Sequence, residues 1–222
     1  MHAFEYYQPT AIIFGPDTER QVGNRAQQIG ARRVLVVYGG ESAKRSGLLE
    51  RVLTSLEEAG LVSETFGGIH PNPRLFQARE GVKKALDFGA DLILAVGGGS
   101  VIDASKAIAL GAANPEADLW DFWLRKRPVE RILPVGVVLT ISAAGSETSD
   151  SAVLTRDDTL EKRGLGCDLL RPKFAILDPE LTYTLPPYQI TCGIVDIMMH
   201  TLDRYFTSVT GNLLTDEIAE GL

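Results

Sequence analysis

Residues 92–109 read LILAVGGGSVIDASKAIA, and this stretch decides the fold. Leu92 to Val96 is the most apolar strand-like run in the chain, the pattern of a strand buried on both faces. It runs straight into Gly97-Gly98-Gly99-Ser100, after which the pattern turns helical through about Gly111. Glycines at a strand end let the backbone approach a ligand with no Cβ in the way. The following helix presents free N–H groups and the positive end of its dipole above the strand, which suits a pyrophosphate. The spacing matches neither G-x-G-x-x-G nor the P-loop that closes on Lys-Ser/Thr. Ser100 is expected to cap the helix. Ser100-x-x-Asp103 also reads as a plain capping box, and Lys106 as a solvated helix residue.

Working outward, strand-like and helix-like stretches alternate. Residues 34–38 are five apolar residues ending at Gly39-Gly40, again a buried parallel strand. A helical pattern over 46–59 places Leu48, Leu49, Val52, Leu53 and Leu56 on one face and stops at Gly60. Residues 62–66 form a strand, His70-Pro71-Asn72-Pro73 a turn, and 74–88 an amphipathic helix stopping at Gly89. Downstream, residues 132–139 read as a strand interrupted by Pro134 and Gly136, and 174–177 as a last short one. Residues 11–14 and 152–155 read as short edge or hairpin strands. This order needs crossover helices, and so predicts an α/β fold: a Rossmann-like, doubly wound, mostly parallel sheet covered on both faces. Asp178-Pro179 and Pro186-Pro187 punctuate a connector. Beyond Gln189 the pattern is purely helical. The expected division is a dinucleotide-binding α/β domain over 1–185 and the beginning of an all-α domain over 186–222, too short to bury a core of its own.

Composition excludes several function classes. The net charge is −7, with 22 basic residues scattered rather than bunched, so a nucleic-acid surface is not expected. Cys167 and Cys192 have no motif spacing and read as reduced core or near-core residues. The N-terminus lacks the charged and apolar regions of a signal peptide, and no apolar run is long enough to cross a bilayer. A cytoplasmic protein without membrane contact is expected.

Four stretches together resemble the iron-containing (group III) alcohol dehydrogenases, in particular their butanol dehydrogenase and NADP-linked aldehyde reductase branch. They are VLVVYGGESAKRSG, HPNPRLFQAREGV with LAVGGGSVIDASKAIA, LTISAAGSETSDSAVLTR, and CGIVDIMMHTLDRYFT. In order and spacing they cover nearly the whole chain. The resemblance implies that Gly97, Gly98, Gly99 and Ser100 form the pyrophosphate loop and that Asn72 lies near the cofactor. Thr140 matches the first threonine of the family's Thr-Thr-x-Gly-Thr-Gly-Ser-Glu stretch, in which Ile141 and Ala144 here replace hydroxyl residues. Ser149 and Lys162 match positions on the nicotinamide-ribose side, and Asp103 an acidic residue close to it; Asp103 and Lys162 are the catalytic candidates. Read without the resemblance, Ser149 and Lys162 belong to a hairpin surface.

NAD-linked members of the family place an aspartate after the first Rossmann strand, where Gly39-Gly40 stands here. Ser42 and Lys44 are then placed to hold a 2′-phosphate, while Glu41 would repel it. NADP is expected, with NAD as the alternative.

Ile194, Ile197, Met198, Thr201, Leu202, Tyr205 and Phe206 form an apolar helical stripe, and Asp196 and His200 share the adjoining stripe at i and i+4. Such a pair is either a hydrogen-bonded helix pair or part of a metal site; VDIMMH matches the family's first two ligands, which implies Fe²⁺, or Zn²⁺. The family's other two ligands are histidines further along, and this sequence has only His2, His70 and His200. The chain is therefore expected to be a truncated product, a fragment or one segment of a longer chain. The expected activity of the intact protein, a homodimer, is metal-assisted hydride transfer between NAD(P)H and a small aldehyde or primary alcohol. The alternatives are a zinc-linked glycerol dehydrogenase, a dehydroquinate-synthase-like lyase, or a non-catalytic NADP-binding module.

Overall fold

The computed structural model describes residue 3, residues 5–208 and residues 210–222. Six strands form one sheet: β1 (Ala11–Phe14), β2 (Arg33–Tyr38), β3 (Val62–Phe66), β4 (Leu92–Gly97), β5 (Val135–Leu139) and β8 (Phe174–Leu177). Their order is β1-β8-β5-β4-β2-β3, and every neighbouring pair is parallel.

The central strands alternate between two apolar layers, which is why β2, β4 and β5 read as continuous apolar runs. Val34, Val36, Leu92, Leu94 and Val96 point to one face, against Val22 and Ala26 of α1 (Val22–Gln28) and Val52 and Leu56 of α3 (Leu48–Glu58). Leu35, Val37, Ile93, Ala95 and Val137 point to the other, against Ala85 of α4 (Leu75–Phe88) and Ile102 and Ile108 of α5 (Gly99–Ala113). Each valine, leucine or isoleucine among them taken out of water stabilises the fold by roughly 1.5–3 kcal/mol before its ordering entropy is counted.

Several boundaries differ from the sequence reading for local reasons. The helix expected over 46–59 is α3, which starts only after Gly47 at φ +70°, and a separate short helix, α2 (Ser42–Arg45), precedes it. The strand expected from residue 132 begins at Val135, because Pro134 has no N–H to give the ladder. Gly136 pairs with Phe174, and a Cβ there would lie 2.4 Å from the phenylalanine ring. Residues 152–155, read as an edge or hairpin strand, are a hairpin strand and not an edge of the main sheet. They lie in β6 (Ser151–Thr155), which forms a separate antiparallel hairpin with β7 (Lys162–Gly166). That hairpin packs on α6 (Leu119–Trp123), a short helix absent from the sequence reading and capped by Asp118, whose carboxylate accepts from Trp120 N at 2.8 Å.

The helical tail is α7 (Pro187–Tyr205) and α8 (Leu213–Gly221). The expected stripe of Ile194, Ile197, Met198, Leu202 and Phe206 exists and is exposed, and Gly193 is the one buried residue that α7 has. Cys167 is half-buried as expected; Cys192, on α7, is exposed and so not a near-core residue. Among the described residues no helix is long and apolar enough to cross a membrane.

Gly136→Val is expected to lower the unfolding free energy by about 1–3 kcal/mol through overpacking against Phe174, measured by urea denaturation. Gly164→Val, where a new Cβ has no neighbour within 4 Å, is the matched control and is expected to cost much less.

Candidate functional site

The strand order places a topological switch between β2 and β4. The chain leaving β2 passes to the face covered by α3, and the chain leaving β4 passes to the face covered by α5. Two loops that part in opposite directions leave a crevice at the carboxyl ends of the strands. There a cleft of about 270 Å³ is lined by Gly39, Ser42, Ser46, Arg51, Gly97, Gly98, Thr140 and parts of residues 180–185. A larger depression of about 620 Å³ runs along edge strand β3 and touches none of the expected site residues.

Of the expected cofactor residues, Gly39, Ser42, Gly97, Gly98 and Thr140 thus share one cleft, while Gly40, Gly99, Ser100, Asn72, Ser149 and Lys162 lie outside its lining. The cap of α5 is Gly98, extended at φ −92° and ψ −170°, whose carbonyl accepts from the Val101 and Ile102 N–H groups. Ser100 is already inside the first turn, so the expectation that it caps the helix is corrected. Its hydroxyl instead accepts from the Asn72 N–H at 3.2 Å. Asn72, at φ +56°, in turn accepts at Oδ1 from Lys162 Nζ at 2.9 Å. Ser100, Asn72 and Lys162 are therefore linked in series. A Cβ at Gly98 would lie 2.4 Å from Ile141 Cγ2, so the glycine is required by packing as well as by access. Ile141 is one of the positions that departs from the family's hydroxyl pattern.

Asp103 and Lys106 are the residues whose surroundings differ most from the sequence reading. Asp103 is buried and forms no capping box: its carboxylate accepts from Ser146 Oγ at 3.1 Å and from Val153 N at 2.9 Å. Burial raises its pKa, against the pull of the Val153 N–H and the Lys106 charge. Lys106 is not solvated but fully buried, and its ammonium donates to the carbonyls of Ser146, Ser149 and Ser151, each at 2.8 Å. Burial lowers its pKa to about 8, with Asp103 opposing. Together they fasten residues 146–153 to α5. Ser149 takes part through its backbone, its hydroxyl sharing a hydrogen bond with Ser151 Oγ at 2.8 Å. The signal for Lys106 was available: α5 is apolar all round, which leaves a lysine no polar face.

On α7, His200 Nε2 lies 3.8 Å from Asp196 Oδ1, both about half exposed. The i, i+4 spacing does bring them together, and one imidazole with one carboxylate is a donor set suited to a divalent first-row ion. Among the described residues no third His, Cys, Asp or Glu joins them.

The sequence matches the profile described as iron-containing alcohol dehydrogenase over residues 9–179. It is 40% identical over 222 residues to the NADH-dependent butanol dehydrogenase A of Clostridium acetobutylicum, which covers 100% of this chain and 57% of that protein. It is 39% identical over 224 residues to the NADPH-dependent aldehyde reductase YqhD of Escherichia coli, again 100% of this chain and 57% of that one. The solved structure of NADH-dependent butanol dehydrogenase A from Thermotoga maritima superposes with a TM-score of 0.96 at 40% identity, covering 100% of this chain and 55% of the other. The chain spans little more than half the length of these relatives.

Lys106→Met leaves three carbonyls and a carboxylate without their cation, and is expected to cost roughly 3–5 kcal/mol in urea denaturation. With its pKa lowered from 10.5 to about 8, Lys106 in the folded state releases its proton before the unfolded chain does. Wild type is therefore expected to gain stability relative to the variant as pH rises from 8 to 10.5, by at most about 1.4 kcal/mol per unit. A difference that shrinks over that window would contradict the burial argument.

Proposed function

Because this chain belongs to the iron-containing alcohol dehydrogenase family, we propose that it forms the dinucleotide-binding part of an oxidoreductase that moves a hydride between NADPH and a small aldehyde or primary alcohol. The observation that carries this reading is the crevice at the β2/β4 switch, lined by Gly39, Gly97, Gly98 and Thr140. In this reading residues 1–185 are the cofactor domain and 186–222 the start of a metal-binding helical domain, within a cytoplasmic homodimer.

NADPH is preferred to NADH on the chemistry after β2. Gly40 stands where a carboxylate would take the ribose 2′-OH, and nothing lies within 4 Å of where its Cβ would be. Ser42 faces the cleft. The expected help from Lys44 is weaker, since its ammonium is held by Glu41 Oε1 at 3.1 Å and lies 5.4 Å over the Tyr38 ring. Both a hydroxyl-rich rim and free helix N–H groups favour the pyrophosphate at Gly98, Gly99 and Ser100.

Asp196 and His200 would supply two ligands to Fe²⁺, or Zn²⁺, the other positions being filled by groups outside the described residues. A bound ion would supply Lewis acidity at the substrate oxygen. The chain's own contribution is placement. Lys162, Asn72 and Ser100 form a polar chain suited to orienting the nicotinamide ribose, and Asp103 with Lys106 holds the neighbouring loop still. Asp103, with both oxygens engaged, suits positioning better than proton transfer.

Titration of the chain with NADPH, followed by nicotinamide fluorescence, tests the reading, and failure to bind overturns it. Gly40→Asp is expected to raise the dissociation constant for NADPH by about tenfold or more while leaving NADH unchanged or tighter. His200→Ala is expected to reduce retained Fe²⁺ or Zn²⁺ after gel filtration; equal metal in both proteins contradicts the ligand assignment.

A further inference from the structure

Arg51 belongs to neither the glycine loop nor the residues expected from the sequence, yet it lines the cleft beside Gly39, Ser42 and Ser46. It sits in the first turns of α3, with its side chain about one-third exposed. Its Nε donates to Glu19 Oε1 at 2.6 Å, and its Nη1 donates to the Ser46 carbonyl at 3.2 Å. A guanidinium carries five N–H donors in a rigid plane. Two contacts on one side fix that plane, and Nη2 has no partner among the described residues. Glu19, from the turn before α1, is buried at 1% exposure, and its Oε2 has no partner among the described residues either. A buried carboxylate with one strong contact acts as a fixed anchor for the arginine.

Resting on the dinucleotide reading above, we propose that Arg51 is the residue that recognises the cofactor's 2′-phosphate and sets the preference for NADPH over NADH. A group leaving the end of β2 in this cleft meets Ser42, Ser46 and Arg51, while the one carboxylate of the lining, Glu180, comes from the segment after β8. A planar, permanently charged fork is the side chain best matched to a phosphate, and one already held by Glu19 and Ser46 loses little freedom on binding. Lys44, the cation expected from sequence, points to Glu41 and Tyr38 and is not in the cleft lining. The competing account makes the Arg51–Glu19 pair only a clip between α3 and the preceding turn, a task that Ser55 also performs by donating to the Arg20 carbonyl at 2.6 Å.

The two accounts separate by direct binding, with no turnover needed. Dissociation constants are measured by calorimetry for four ligands: NADPH and 2′-phospho-ADP-ribose, which carry the phosphate, and NADH and ADP-ribose, which do not. Arg51→Gln is expected to weaken the two phosphorylated ligands by about 10- to 100-fold and to change the other two by less than about twofold. Arg51→Lys is expected to fall between. Because Arg51→Gln strands a buried carboxylate, the double variant Glu19→Gln/Arg51→Gln repeats the measurement in a neutral background and is expected to show the same selective loss. Equal weakening of all four ligands, or no change in the phosphorylated pair, overturns the assignment and leaves only the clip. Wild-type protein that binds none of the four overturns the dinucleotide reading itself, and the assignment with it.

Discussion

The junction at Gly97-Gly98 constrains everything at the carboxyl end of the sheet. β4 is buried along its whole length and passes into α5 with a single residue, Gly98, between them. That residue must be extended, must lend its carbonyl to the first turn of the helix, and must leave room for Ile141. A side chain there would push α5 away from β5 and the loop that follows it. With glycine, the helix start is brought to the mouth of the crevice between β2 and β4, and its first N–H groups are left for a ligand.

The segment over residues 146–153 is held by charge as well as by packing. An ammonium with three carbonyl partners and a nearby carboxylate can stay buried only because its donors are satisfied. This loop and the chain Ser100–Asn72–Lys162 are both referred to α5, so one helix sets the position of the pyrophosphate-side glycines and of the residues on the ribose side. The β2 side of the crevice is more open, with Gly40 and Ser42 exposed.

Much of this was legible in the sequence. Apolar runs ending in glycine located β2 and β4, and the alternation with amphipathic segments required a parallel sheet. The i, i+4 spacing of Asp196 and His200 was enough to place them side by side. Three features were not legible, each for a physical reason. The cap of α5 was assigned to Ser100 because a serine is the usual cap, whereas an extended glycine does the same with its carbonyl. Asp103 and Lys106 were read by local spacing, although their partners lie some 40 to 50 residues away. Arg51 sits on the polar side of an amphipathic helix, where sequence cannot separate a solvated cation from one aimed into a cleft. The hairpin option for residues 152–155 was legible, and the hairpin stands apart from the main sheet because its apolar side chains have their own partner in α6.

Amide hydrogen exchange with and without NADPH tests the account most directly, since it reports where a ligand sits. Slowed exchange is predicted at the first turn of α5, from Gly99 to Ile102, together with residues 39–46 after β2. Binding that slows exchange along β3 instead, or leaves the start of α5 unchanged, would contradict it.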